Sequence, residues 1–488
     1  MLDKIKIKWV YGICAIFIVL NCIFIVNEFY WFSLLPVLIL FTLLFIFSLD
    51  IILLLIVFFT PLSISLSDFD LNLGINLPTE PLLAATLLLF IIRLIYNRRF
   101  DGKITRHPVS IAIIIYLSWY LMTTITSTLP VVSLKHFAAQ LWFIIPFYFL
   151  ATQLFKERKN IRRFVWMYLF SFIIVIFYTT YNHSQYGFDE ITSHWVMTPF
   201  FNDHTSYGAL LAMFLPFTLG FSFDKKLSKT QRVLSFVVFL VFVIAIVLSH
   251  SRAAWVSLVV ALIIFLILKM KINYKIVIIT VVVLTGIYAL YRFEIFMKLQ
   301  KNRQDSSKDY VEHIQSISNI STDASNLERI NRWSCALRMF KEKPVFGWGP
   351  GTYQFKYAPF QLSQEKTIIS TNAGDRGNAH SEYIGPMAEM GVFGLLSVLA
   401  IIVLITYTAV KVYKRSDSSE VKFIVLMSII SLYTYFVHGF LNNFLDTDKA
   451  AVPYWGLMAL IVTLDVYYLN KPKVAELNAE ADTVQKAE

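Results

Sequence analysis

Asn378-Ala379-His380-Ser381-Glu382-Tyr383, followed by Glu389, Gly391 and Gly394, is the stretch of this chain best equipped for chemistry. It stands where a long polar segment, about residues 292 to 380, gives way to an apolar run of membrane-spanning length. An imidazole titrates near neutrality, so His380 is suited to exchange a proton at a membrane–water boundary. The bland alternative is an interfacial polar residue followed by helix-packing glycines, and position alone weighs the two readings evenly.

Basic residues that orientation in a bilayer does not explain come next. Arg252 ends a short Ser-His-Ser-Arg turn between two apolar runs. It is either a snorkelling side chain or a guanidinium fork for phosphate, a geometry in which arginine surpasses lysine. Arg329 and Arg332 lie about one turn apart on a predicted amphipathic helix and are able to face one anion, or to form surface pairs with Glu328 and Glu342. Lys135 is a further basic residue on the same expected side, and Arg338 and Arg376 are weaker candidates. Asp203 and His204 set a carboxylate beside an imidazole at the entry to a helix, where an N-cap is the simpler reading. Glu382, Tyr383, Glu389 and Asp446 complete the set as acceptor-side or supporting residues, and His438 is read as a packing or hydrogen-bonded residue.

Several chemistries find no support. No phosphate-binding GxxxxGK[ST] loop occurs. The Asp-x-Asp pairs Asp68/Asp70 and Asp446/Asp448 lack a third ligand nearby in sequence, so no metal site is assigned. Cys14, Cys22 and Cys335 show no ligand or disulfide spacing and read as packing residues. Intramembrane charges are scarce, which argues against an ion-coupled transporter.

Composition identifies the elements that must position these groups. Apolar residues are 57% of 488, charged residues 15%, and mean hydropathy is +0.63. A soluble domain carries about 25% charged residues, so this is an integral membrane protein of all-α class. The net charge of +11 is spread over short clusters between apolar runs, the pattern of membrane orientation and not of nucleic-acid binding. Lys4, Lys6 and Lys8 precede a long apolar run without a small-residue cleavage site, which reads as a retained first helix.

About fourteen spans are expected: eleven within residues 1–291, and three within 381–470, at about 384–413, 423–441 and 453–470. The segment 292–380 between them is read as a long outer loop, polar in its first half and carrying an amphipathic helix over about 326–341. Residues 471–488 form a polar tail. Six alternate loops are basic, which places both termini in the cytoplasm and His380 on the opposite, outer side of the membrane.

Three motifs then give a family resemblance. They are Ser251-Arg252-Ala253-Ala254-Trp255, then Arg329-x-x-x-Trp333 with Pro344-Val345-Phe346-Gly347-Trp348-Gly349-Pro350-Gly351, then His380-Ser381 with Gly391-x-x-Gly394 nine residues on. Over about residues 200–400 the chain resembles the bacterial O-antigen ligase/polymerase superfamily of membrane glycosyltransferases. That family has about a dozen helices, fewer than the count above. The resemblance implies a metal-independent, cofactor-free transfer of a glycan from undecaprenyl diphosphate to an acceptor hydroxyl, on lipid A-core or a similar acceptor. His380 is then the general base, and Arg252 and Arg329, with Arg332 and Lys135 as further candidates, hold the diphosphate. A repeat-unit polymerase and a protein O-oligosaccharyltransferase use the same donor. A flippase or exporter of lipid-linked glycan needs the helices but not the loop histidine.

Overall fold

The computed structural model describes residues 2–66, 75–97, 100–273, 324–363 and 377–469, with isolated positions between them. Asp68, Asp70, Arg376, most of the expected span at 275–291, the first half of the long loop and the tail 471–488 lie outside the described residues. The chain forms two compact units, Met1–Ile56 and Val57–Glu488.

Helices make up nearly all of the described structure. They are α1 (Leu2–Val26), α2 (Leu35–Phe47), α3 (Leu49–Phe59), α4 (Thr79–Asn97), α5 (Pro108–Ile125), α6 (Pro130–Leu154), α7 (Arg158–Ser184) and α8 (His204–Phe223). Then follow α9 (Lys229–Leu248), α10 (Arg252–Lys269), α11 (Ala324–Glu342), α12 (Ile384–Arg415), α13 (Ser419–Leu441) and α14 (Asp448–Tyr468). The sheet among the described residues is one two-stranded antiparallel pair, Ile64–Ser65 with Asn76–Leu77, in register Ile64 to Leu77.

Ten of these helices are long and apolar enough to cross a membrane, so the chain is a multi-pass membrane protein. About fourteen are expected; among the described residues ten qualify, and the expected span at 275–291 lies mostly outside them. Three runs near the amino terminus form shorter apolar helices, Tyr11–Val26, Tyr30–Phe45 and Leu49–Leu62. Local breakers account for this: a tight 3-10 turn at Tyr30–Leu34 precedes Pro36, and Ser48 leaves helical geometry at φ −145°.

Helix ends are set by short polar caps. Ser228 and Gln231 form a reciprocal capping box at the start of α9, and Ser418 caps α13 through the Val421 N–H. Each cap satisfies backbone donors that would otherwise be orphaned at the first turn. The core sits where α13 packs against α8, α10 and α12, and α5 packs along α12. Asp448, fully buried at the start of α14, accepts hydrogen bonds from Ser63 (2.6 Å), Asn76 (3.3 Å) and Thr79, so it ties the strand pair to the last helix. Cys335 is buried within α11, whereas Cys14 and Cys22 are exposed on α1 and do not pack as expected.

α12 is broken near one end. Gly391 has φ +71° and ψ −166°, a conformation that a side chain would strain. The backbone groups freed by this break bond to the Pro344–Gly351 turn. The Val392 N–H donates to the Pro344 carbonyl at 2.9 Å, and the Gly349 N–H donates to the Glu389 carbonyl at 2.8 Å. A non-helical stretch in an apolar helix is tolerated when its backbone groups find protein partners, and here they do.

Candidate functional site

His380 occupies the left-handed region at φ +48°, which costs a non-glycine residue energy and which histidine tolerates better than most. The Asn378 side chain holds it there by accepting the His380 N–H at 3.0 Å. On the other side, Ser381 Oγ accepts from the N–H groups of Tyr383 and Ile384, both at 3.3 Å, and so covers the start of α12. The imidazole pKa is pushed down to about 4 by burial first, then by the cations of Arg329 and Arg332, with Asp203 acting the other way. His380 is therefore a neutral base at physiological pH.

Arg329 and Arg332 sit side by side on α11 but have different surroundings. Arg332 is 5% exposed, donates through Nε to Glu328 at 2.7 Å and lies 4.4 Å over the Tyr357 ring. Arg329 is only partly buried and donates through Nε to the Leu441 carbonyl at 3.2 Å, at the negative end of α13. Both cations act on the His380 imidazole, and Arg332 is already paired with a carboxylate, Glu328.

Arg252 begins α10, two residues after His250, a second histidine held at φ +48°. The next residue, Ala253, lies with its backbone against His438 on α13. His438 is buried, hydrogen-bonds to Asn442 at 3.2 Å, and lies within electrostatic range of Asp203, His204 and Arg329. The turn before α10 is drawn close to α8: a Cβ on Gly208 would lie 2.6 Å from the Ser251 side chain. Asp203 is the N-cap of α8, accepting from the Ser206 N–H at 2.7 Å. The cap reading holds, and the same carboxylate is felt at His380, His204 and His438. His204 stacks on His194, with ring centroids 4.2 Å apart. Segments distant in sequence thus converge on one neighbourhood.

A rigid platform supports it. Glu389 accepts the Gly351 N–H at 2.9 Å on one carboxylate oxygen and the Tyr353 N–H at 2.8 Å on the other. The Trp348 N–H reaches the Ala388 carbonyl at 3.2 Å, and Trp348 Nε1 donates to the Met339 carbonyl of α11 at 3.0 Å. Tyr353 Oη donates to the Arg332 carbonyl at 2.7 Å. The glycine-rich turn therefore joins α11, which carries the arginines, to the helix that follows His380.

Glu382 and Asp446 belong to the adjoining wall. Glu382 Oε1 accepts from Tyr435 Oη (2.7 Å) and from the N–H groups of Phe444 (2.8 Å) and Leu445 (2.9 Å). Burial raises its pKa to about 7, and nearby Asp446 adds to this. Asp446 pairs with His136 Nε2 at 3.2 Å. Tyr383 turns away and donates to the Phe436 carbonyl at 2.7 Å. Lys135 is exposed on α6, while its neighbour His136 faces the interior beside Tyr120. His136 and Gln140 escaped sequence reasoning because isolated polar residues in apolar helices carry no motif; their one signal is intramembrane polarity itself.

Residues 236–399 match the family model described as O-antigen ligase. An uncharacterized protein of Haemophilus influenzae is 26% identical over 250 residues, a match that covers 50% of this chain and 59% of that relative. The matched family segment takes in Arg252, Arg329, Arg332, His380, Glu382, Tyr383 and Glu389, and stops short of Lys135, Asp203, His204 and Asp446. The resemblance carried by the three motifs therefore holds: over residues 236–399 this multi-pass membrane protein is O-antigen ligase-like.

Proposed function

We propose that this protein is a membrane glycosyltransferase of the O-antigen ligase type, moving a glycan from undecaprenyl diphosphate to an acceptor hydroxyl of lipid A-core or a similar surface acceptor. The observation that carries this reading is a neutral, strained imidazole at His380 set beside the guanidinium of Arg329. The acceptor oxygen attacks the anomeric carbon as the bond from that carbon to the diphosphate oxygen breaks. His380 takes the acceptor proton, and Arg329 with Arg252 meets the charge that grows on the departing diphosphate. Preorganised cations act most strongly on charge that develops in the transition state. A base that is neutral at working pH is ready to receive the proton. Arg332, committed to Glu328, fits a role in orienting α11 better than one in phosphate contact. Lys135, exposed on α6, has weaker support than either arginine. The single displacement implies inversion at the anomeric centre.

The test is transfer in vitro. Purified protein is incubated with polyprenyl-diphosphate-linked oligosaccharide and, separately, lipid A-core, a serine- and threonine-bearing peptide, or a second lipid-linked repeat unit. A glycosylated core supports the ligase; a glycopeptide or a longer lipid-linked product moves the assignment to protein glycosylation or polymerisation. Absence of any transfer, with lipid-linked glycan translocated across vesicles, would make the protein an exporter instead.

A further inference from the structure

Behind the His380 segment lies a cavity of about 310 Å³, bounded by Asn378, Ala379 and Ser381 on the side of that segment. Its wall is unlike the arginine-bearing cleft. Three carboxylates, Glu382, Glu389 and Asp446, line it, together with Gln140 and Asn443. The one imidazole there, His136, is already paired with Asp446, and Gln140 and Asn443 also donate to Asp446, each at 3.4 Å. Tyr116, Tyr454 and Trp455 supply flat apolar faces.

Two polar atoms in this wall have no hydrogen-bond partner among the described residues. They are Trp455 Nε1, on a residue only 3% exposed, and Asn443 Oδ1. One is a pure donor and the other a pure acceptor. Buried orphans of this kind are rare in folded proteins and call for a partner. A hydroxyl group serves both, since it donates and accepts. The carboxylates here, Asp446 foremost, accept hydroxyl protons and disfavour an anion, so a polyol suits this wall better than a phosphate. Aromatic faces beside a few fixed polar groups suit a ring with one apolar side. The volume is at the small end for ligand pockets, the scale of one ring and not of an extended chain.

We infer that this cavity is a saccharide subsite that takes one uncharged sugar ring, oriented by Gln140, Asn443, Trp455 and Asp446. The assignment rests on the glycan-transfer reading for its meaning, because a ring held here lies directly beside the His380 segment. Both the acceptor and the glycan of the donor contain such rings, and the experiment separates them.

Saturation-transfer NMR on the detergent-solubilised full chain uses the methyl glycosides of glucose, galactose and N-acetylglucosamine, with glucose 1-phosphate as the anionic control. At least one neutral glycoside should give a signal, and the phosphate should give none. Gly385→Leu fills the cavity: Gly385 lines it, and a Cβ there meets just the Ala379 Cβ, at 3.7 Å. This variant should melt like the parent and lose the signal. No signal from any neutral sugar with the parent protein, or one that Gly385→Leu leaves intact, would overturn the subsite. This arm needs no catalysis, so it fails or succeeds independently of the transferase reading. Where transfer is measured, Gln140→Ala should raise one KM about tenfold, the scale of one hydrogen bond, with kcat preserved. A rise for the acceptor places the acceptor ring here. A rise for glycan-bearing donor, without weaker binding of bare polyprenyl diphosphate, places the donor ring here. Unchanged KM values for both would also overturn the proposal.

Discussion

Arg332 donates to Glu328 at 2.7 Å across one turn of α11, with both side chains almost fully buried. Removing one partner leaves the other charge buried and uncompensated. Arg332→Met should therefore lower stability by about 3–5 kcal/mol, and the double change Arg332→Met with Glu328→Leu should recover much of that loss. Thermal melting in detergent measures both. A single variant as stable as the parent would break this account.

Arg329, by contrast, should matter to turnover. Arg329→Ala is expected to lower kcat by about 10²–10³-fold, the scale seen when one preorganised charge-stabilising group is removed. Its melting temperature should change far less than that of Arg332→Met. Comparison of kcat with melting temperature across the two variants separates phosphate contact from scaffold.

His380 sets the acid limb of the pH–rate profile. Its pKa, pushed down to about 4 by burial and then by Arg329 and Arg332, keeps it neutral over the working range. Activity should fall only as the pH drops toward 4. Arg329→Gln removes a cation, so the limb should move upward, toward the ordinary value near 6.5. Asp203→Asn keeps the helix cap but removes an anion, so the limb should move the other way. His380→Ala should cost about 10²–10⁴-fold in transfer while donor binding persists.

Glu382 should make stability depend on pH with the opposite sign. Its pKa rises in the folded state, to about 7 from 4.5, so the fold favours the protonated carboxyl. That contribution is complete below 4.5 and is lost as pH rises through 7. Glu382→Gln keeps an acceptor for Tyr435, Phe444 and Leu445, and should flatten the melting temperature between those limits. A parent protein whose melting temperature is already flat there would refute it.

Gly391→Ala places a side chain at φ +71° against the backbone of Val345. A cost of about 1–3 kcal/mol is expected from the strain alone, read as a drop in melting temperature. The same change at Gly385, whose surroundings are open, should be nearly neutral.

The helical membrane class was legible because apolar runs of spanning length leave a strong signal in composition. The number of spans was less so: the three early runs were read as full spans, but the turn before Pro36 and the break at Ser48 leave α2 and α3 too short. Within the site, His380, Arg252 and Arg329 stood out through spacing and placement. That Arg332 is buried against Glu328 depended on side-chain packing, since the same spacing fitted an exposed pair equally well. Lys135 attracted notice through its charge, while the inward-facing residue was His136 beside it. A one-residue difference in helix phase is invisible when both neighbours are polar.

Glu389 grips the glycine-rich turn, and Gly391 ends the stretch that begins at His380. The intervening segment works as a ruler, with the imidazole at one end mark and the clasp at the other. One extra residue after Ile384 would rotate everything beyond it by about 100°. Either the clasp would miss the turn or the imidazole would swing from its guanidinium. Along this interval the length of the chain is thus a tighter constraint than the identity of most residues in it.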